Sequence, residues 1–191
     1  MEFINSTAAD LEAIFELYYA AIVHQKAVSN MHWLPFDRQL VAAEIAEGRQ
    51  WKIIMDGEIA CIFLVAYSDA AIWGEKDAEP SIYLHRIVTN PAFRGNNFVQ
   101  KRVDWSKDHG KMRGKKYIRL DTWSDNPKLK DLYVQCGFQF LGIAVPSNPE
   151  ALPSHYSTIT LSFFFSSLIS SITPLKLLKG PSITFTDSPT M

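Results

Sequence analysis

The stretch Ile82–Val103, IYLHRIVTNPAFRGNNFVQKRV, restricts the fold of this chain more than any other. Its first part, Ile82 to Thr89, is rich in branched and aromatic residues and reads as a strand. Asn90-Pro91 ends that strand, because proline has no N–H to give to a ladder. Arg94-Gly95-Asn96-Asn97 is a polar turn, and helical patterning begins at Phe98. A strand that passes through a glycine-containing turn into a helix leaves backbone N–H groups clustered at the positive end of the helix dipole. Such a cluster suits the oxygens of a phosphate or pyrophosphate.

The rest of the chain supplies elements to surround this unit. Glu2–Ile4 reads as a short first strand. Thr7-Ala8-Ala9-Asp10 resembles a capping box, and Leu11, Ile14, Phe15, Tyr18 and Ile22 follow at helical spacing. Asn30–Phe36 is a Pro-broken aromatic loop. Asp37–Gly48 reads as a second helix, with Leu40, Val41 and Ile45 facing inward and Gly48 as its stop. Gln50–Met55 and Glu58–Tyr67 pattern as strands joined by Asp56-Gly57, a strong hairpin signal. Ser68–Pro80 is polar and irregular. After the helix that begins at Phe98 and runs to about Met112, Tyr117–Thr122 alternates as a strand. Asn126-Pro127 caps and starts a further helix, with Leu129, Leu132, Tyr133 and Cys136 on one stripe and Gly137 at its end. Phe138–Val145 and Tyr156–Phe165 complete the set. The resulting order, β-α-α-β-β-β-α-β-α-β-β, is a mixed α/β arrangement.

Asn126–Phe138, NPKLKDLYVQCGF, resembles the Asn-x-x-Ala-x-x-Leu-Tyr-x-x-x-Gly-Phe segment of the GCN5-related N-acetyltransferase (GNAT) superfamily. The asparagine, the Leu-Tyr pair and the Gly-Phe pair keep their spacing, and Leu129 replaces the alanine. Arg94–Val99 resembles that family's Gln/Arg-x-x-Gly-x-Gly/Ala acyl-CoA signature, with Asn97 and Val99 in place of its two small residues. The resemblance covers roughly Glu2 to Phe165. It implies a GNAT-like, mostly antiparallel sheet flanked by about four helices, and transfer of an acetyl group from acetyl-CoA to a primary amine. It also implies that Ile87, Val88, Arg94, Gly95, Asn96, Asn97, Phe98, Val99, Asn126 and Tyr133 hold the cofactor. Tyr133 then lies beside the cofactor's sulfur, where it protonates the departing thiolate. The alternative is a CoA-binding or interaction module that kept the fold without the chemistry.

Attack by an amine with a pKa near 10.4 requires its deprotonation, which costs about 4–5 kcal/mol at pH 7. A base therefore matters, and His85 and Asp121 are the candidates, with Glu79 a weaker third. Trp33, Trp123 and Tyr156 form a candidate aromatic wall for an apolar or cationic acceptor. Each of these residues has a plain structural alternative: core packing for Tyr133 and the tryptophans, hydrogen bonding for His85, loop capping for Asp121.

A chain of 191 residues supports one ordinary domain, and a net charge of −1 calls for neither nucleic acid nor an anionic membrane as partner. The basic residues between Arg94 and Lys116 read mostly as a solvated helix face. Cys61 and Cys136 sit in apolar segments without ligand-like spacing, so buried thiols in a reducing compartment are expected, with no metal site. The N-terminus lacks the regions of a secretory signal, which makes the cytoplasm the expected location. Acetyl-CoA and an amine are the expected partners, and a homodimer is left open. Residues 166–191 alternate paired serines with apolar residues, followed by Pro174, Lys176 and a Gly-Pro break, and read as a loosely ordered appendage to a domain spanning 1–165. Ile159–Leu178 is a poor membrane span, because it holds five serines, a proline and a lysine and starts inside the expected last strand.

Overall fold

The computed structural model describes residues 1–29, 31–123, 126–144 and 158–165. Seven strands form one sheet in the order β1-β2-β3-β4-β5-β7-β6. They are β1 (Glu2–Asn5), β2 (Gln50–Met55), β3 (Glu58–Ala66), β4 (Ser81–Thr89), β5 (Tyr117–Trp123), β6 (Gln139–Ala144) and β7 (Thr158–Phe164). The helices are α1 (Leu11–Val28), α2 (Arg38–Ala46), α3 (Ala70–Trp73), α4 (Phe98–Met112) and α5 (Pro127–Gln135). All strand pairs are antiparallel except β4 with β5, which run parallel. This is the mixed, mostly antiparallel architecture expected from the sequence. The crossover from β4 to β5 is made by α4, as a parallel pair requires.

The strand β3 is buried from Ala60 to Ala66 without interruption, as expected for a central strand covered on both faces. On one face, Ile14, Tyr18, Val41 and Ile45 of α1 and α2 pack on Ile62 and Val88. On the other, Phe98 and Val103 of α4 and Tyr133 of α5 pack on Ile53, Phe63, Ile82, Leu84, Ile118 and Leu120. Local chemistry sets the joints. Asp56 and Gly57 both take positive φ (53° and 83°), the left-handed pair a two-residue hairpin needs. The Thr7 N–H donates to the Asp10 carboxylate at 2.6 Å, closing the reach-back of the capping box.

Several expectations are corrected. Ser68–Pro80 is not irregular throughout: it contains the single-turn α3 and a 3-10 segment, Gly74–Ala78, so five helices accompany the sheet. In α2, Leu40 is half exposed, while Glu44 turns inward to pair with Arg86. The solvated face expected of α4 carries three buried polar residues, Arg102, Ser106 and His109, so the charge run there is not a surface feature throughout. On α5, Tyr133 is buried, whereas Leu132 is 37% exposed. Cys61 is fully buried, Cys136 only partly, and both thiols are free. The strand β7 inserts between β5 and β6, an ordering that consecutive strands do not announce. Among the described residues, no helix is long and apolar enough to cross a membrane. The tail 166–191 lies outside the described residues, but Phe165 just before it belongs to the core.

Candidate active site

The central strands part at the site. Pairing between β4 and β5 runs from Ser81–Tyr117 to Leu84–Leu120 and stops there, although β4 continues to Thr89 and β5 to Trp123. The parting begins beside a bulge. Ile62 faces Val88 and Leu64 faces His85, so two residues of β4, Arg86 and Ile87, oppose the single Phe63. Arg86 takes φ +46°, a conformation unfavourable for a long side chain, and its surroundings hold it there. It pairs with buried Glu44 and lies over the rings of Phe36 (5.1 Å) and Tyr18 (5.8 Å). No feature of the sequence marks this bulge.

The loop that follows β4 is braced by its own side chains. Asn90 accepts from the Ala92 N–H (3.1 Å) and donates to the Ile59 carbonyl (3.0 Å), while the Asn96 amide donates to the Phe93 carbonyl (2.9 Å). Gly95 (φ +87°) and Asn97 (φ +53°) are both left-handed, and Asn97 is the N-cap of α4. Asparagine is one of the few side chains that visits this region readily, so the turn survives the loss of glycine at position 97. The first helical bond is Lys101 N–H to the Asn97 carbonyl, which leaves the N–H groups of Phe98, Val99 and Gln100 without helical partners. Phe98 and Val99 line a cleft of about 410 Å³ together with Thr89, the rest of the Arg94–Val99 loop and Leu132. A smaller hollow of about 230 Å³ adjoins it, where Ile87–Thr89 and Arg94 meet α1 around His24 and Gln25. Of the residues proposed from sequence for the cofactor, eight thus share two adjoining hollows. The other two, Asn126 and Tyr133, line neither hollow, and Asn126 caps α5 by accepting from the Leu129 N–H (3.1 Å).

On the far side of the parting, His85 and Asp121 face one another, Nδ1 to Oδ1 at 3.6 Å. The other ring nitrogen, Nε2, faces Oδ2 of Asp69 at 3.6 Å. Burial pushes Asp121 up to about 7, and the charge of Asp69 adds to the effect. Burial pushes His85 down to about 4, with the cations Arg86 and Arg49 acting in the same direction. At 3.6 Å neither carboxylate is hydrogen-bonded to the ring, so desolvation outweighs their attraction. Trp123 lies two residues beyond Asp121, on the same face of β5, with its ring centroid 6.4 Å from that of Trp33. Tyr156, the third residue expected in this wall, lies outside the described residues. Glu79 is engaged elsewhere, paired with buried Arg119.

Tyr133 is 2% exposed and is absent from the lining of the 410 Å³ cleft. Its hydroxyl accepts from Nη2 of Arg102 at 2.8 Å. Arg102 is itself 1% exposed, and its Nη1 lies 3.9 Å from the Cys61 sulfur. No carboxylate among the described residues pairs with this guanidinium. Because arginine has no acceptor, the phenol's own hydrogen is left uncommitted by the contact.

A sequence model of the acetyltransferase (GNAT) family matches residues 11–138, two thirds of the chain. The chain belongs to that family. One curated relative is YesJ of Bacillus subtilis, described as an uncharacterized N-acetyltransferase. It is 27% identical over 106 residues, and the match takes in 53% of this chain and 59% of that protein. Among solved structures, a GNAT-family acetyltransferase from Listeria monocytogenes superposes with a TM-score of 0.71 at 20% identity, covering 86% of this chain and 94% of that one. The YncA acetyltransferase of Salmonella typhimurium, solved with its cofactor acetyl-CoA, superposes with a TM-score of 0.64 at 15% identity, covering 87% and 94%. At these identities the structures show the shared GNAT fold.

Two residues beside the candidate site are not marked by the sequence. Arg102 was hidden in a run of charges that reads as solvated, and its only signal is a position one turn from Phe98 and beside Val103, which places it toward the core. Asp69 was hidden in a loop, and nothing local marks it.

Proposed function

We propose that this protein transfers an acetyl group from acetyl-CoA to a primary amine by direct attack within a ternary complex. One observation carries the reading: β4 and β5 part after Leu84 and Leu120, with the donor cradle following the free end of β4 and Asp121 on the free end of β5. Acetyl-CoA fits the residues present. The free N–H groups of Phe98, Val99 and Gln100, with exposed Arg94 beside them, offer the donors a pyrophosphate needs. Beyond Leu84 the β4 edge has no β5 partner, which leaves backbone groups for the amides of a pantetheine arm.

Asp121 takes the amine's proton. With a pKa near 7 it is a far better match to an ammonium than an ordinary carboxylate, and it is still substantially ionised at neutral pH. Trp33 and Trp123 offer ring faces to the cationic acceptor before that proton leaves. The uncommitted hydrogen of Tyr133 goes to the departing thiolate, with the Arg102 guanidinium behind it stabilising the charge that develops. Alignment of the two reactants contributes as much as either proton transfer. Both thiols are free, in keeping with a reducing compartment, and we place the reaction in the cytoplasm.

The burial of Tyr133 and the bulk of Val99 in the cradle favour a second reading, a module that binds CoA without catalysis. A thiol-release assay over an amine panel, from a diamine and a polyamine to an alanine-ended peptide, separates the two. Release that depends on the amine supports transfer. Acetyl-CoA binding without release for every amine supports the module.

A further inference from the structure

Asp69 caps the N-terminus of α3, in the segment between β3 and β4. Asp77 fixes it there: its carboxylate accepts from the Asp69 N–H (2.7 Å) and from the Ser68 hydroxyl (2.6 Å). The Asp69 side chain is 13% exposed, and its Oδ2 is buried without a hydrogen-bond partner. A buried carboxylate oxygen is rarely left unsatisfied without a reason. Nε2 of His85 lies 3.6 Å from it, and the other nitrogen of that ring lies 3.6 Å from Asp121. The ligand-type atoms of the three side chains lie within 4.8 Å of one another. They form a compact cluster in which both carboxylates lie toward one side of the ring, Asp69 reaching Nε2 and Asp121 reaching Nδ1, each at 3.6 Å.

We propose that Asp69 is a positioning residue that fixes the tautomer of His85 and, through it, makes Asp121 a better base toward an alkylammonium acceptor. This rests on the acetyl-transfer reading above. A neutral imidazole has one N–H and one lone pair, and the bond made by one nitrogen decides the role of the other. With Asp69 receiving the Nε2–H, the Nδ1 lone pair faces Asp121. The Asp121 carboxylate removes a proton from the ammonium, and its new O–H is then received by Nδ1. The contacts of 3.6 Å need to close by about half an ångström to become hydrogen bonds, as catalytic contacts do when reactants are held. The charged and titratable groups around the ring are Asp69, Asp121, Arg86 and Arg49, with Tyr83 stacked on it at 6.4 Å.

The protons balance. An alkylammonium sheds two on becoming an amide: Asp121 takes one and yields it to water after turnover, and the other replaces the proton that Tyr133 gives to the thiolate. Burial holds the ring neutral near pH 7, the state in which a choice of tautomer exists at all.

The test is Asp69→Asn, which keeps a good N-cap for α3 but can present an N–H to Nε2. Nitrogen NMR of the His85 ring reads the tautomer without any acceptor present. The Nε2–H form is expected in the native chain and the Nδ1–H form in the variant; the same tautomer in both overturns the proposal. Kinetics supply the second readout. With ethylamine, kcat/KM should fall at least tenfold in the variant. With 2,2,2-trifluoroethylamine, already neutral at pH 7, it should fall less than threefold. An equal loss for both amines overturns the proposal, as does activity that requires an added divalent metal ion, whereas no transfer to either amine by the native chain sinks the transfer reading itself. Asp69→Ser, another capping residue without the carboxylate, serves if the asparagine variant fails to fold. Loss of acetyl-CoA binding by the native chain would instead sink the transfer reading, which makes the two failures distinguishable.

Discussion

Replacing Arg102 with methionine should stabilise the protein and impair it together. The guanidinium is 1% exposed, Nε has no hydrogen-bond partner, and no carboxylate among the described residues neutralises it. Its neighbours are the Tyr133 hydroxyl and the Cys61 thiol, which burial pushes up, so no carboxylate stands against the charge. The effective penalty for burying such an ion is several kcal/mol. Against it stands the hydrogen bond to Tyr133, which contributes about 1.5–3 kcal/mol. Methionine fills a similar volume and adapts to the gap. The difference favours the variant by about 1–3 kcal/mol, equivalent to roughly 2–4 °C in Tm for each kcal/mol. Urea unfolding at pH 7 measures it, with kcat measured on the same preparation and expected to fall at least tenfold. A loss of 2 kcal/mol or more in stability would refute the reasoning, because the guanidinium would then be a structural support and not a charge retained for the leaving thiolate.

Other substitutions probe the remaining parts. Tyr133→Phe should lower kcat by about 100-fold with the acetyl-CoA KM nearly unchanged, and an unchanged kcat would return Tyr133 to the core. Val99→Gly should tighten acetyl-CoA binding at least fivefold in a calorimetric titration, at a cost of about 1 kcal/mol in helix stability; unaltered affinity would show that Val99 does not crowd the cradle. His109 is buried against Trp105 and is pushed down from 6.5 to about 4, by burial first and then by Arg113. Its folded value is the lower one, so its stabilisation is full above pH 6.5 and is lost as the pH falls toward 4, by up to about 3 kcal/mol. In His109→Gln the stability curve should be flatter by that amount over the same window, and parallel curves would contradict the assignment.

What could be read from the sequence depended on how local its cause is. The Asp56-Gly57 turn, the Asn126 cap and the left-handed Asn97 are fixed by a few adjacent residues, and the structure has each where the residue types place it. His85 and Asp121 could be named but not joined, because their meeting depends on a parallel pairing across the whole of α4 and on where that pairing stops. The bulge at Arg86 escaped because a long charged side chain gives no hint of a positive φ. Its support comes from Glu44 and from aromatic rings on α1 and the loop before α2. Arg102 escaped for a different reason: a buried cation without an acid partner is so unfavourable that composition always argues for solvent. Such a residue is visible only when the core around it is.

The central claim is that the left-handed turn before α4 holds acetyl-CoA. Calorimetric titration of the full chain with acetyl-CoA, beside the variant Gly95→Asp, tests it most directly. At φ +87° an aspartate is strained, and its carboxylate stands among donors meant for phosphate oxygens. The account predicts one site per chain, with affinity lowered at least tenfold in the variant. Equal affinity in the two proteins, or no binding by the native chain, would contradict it.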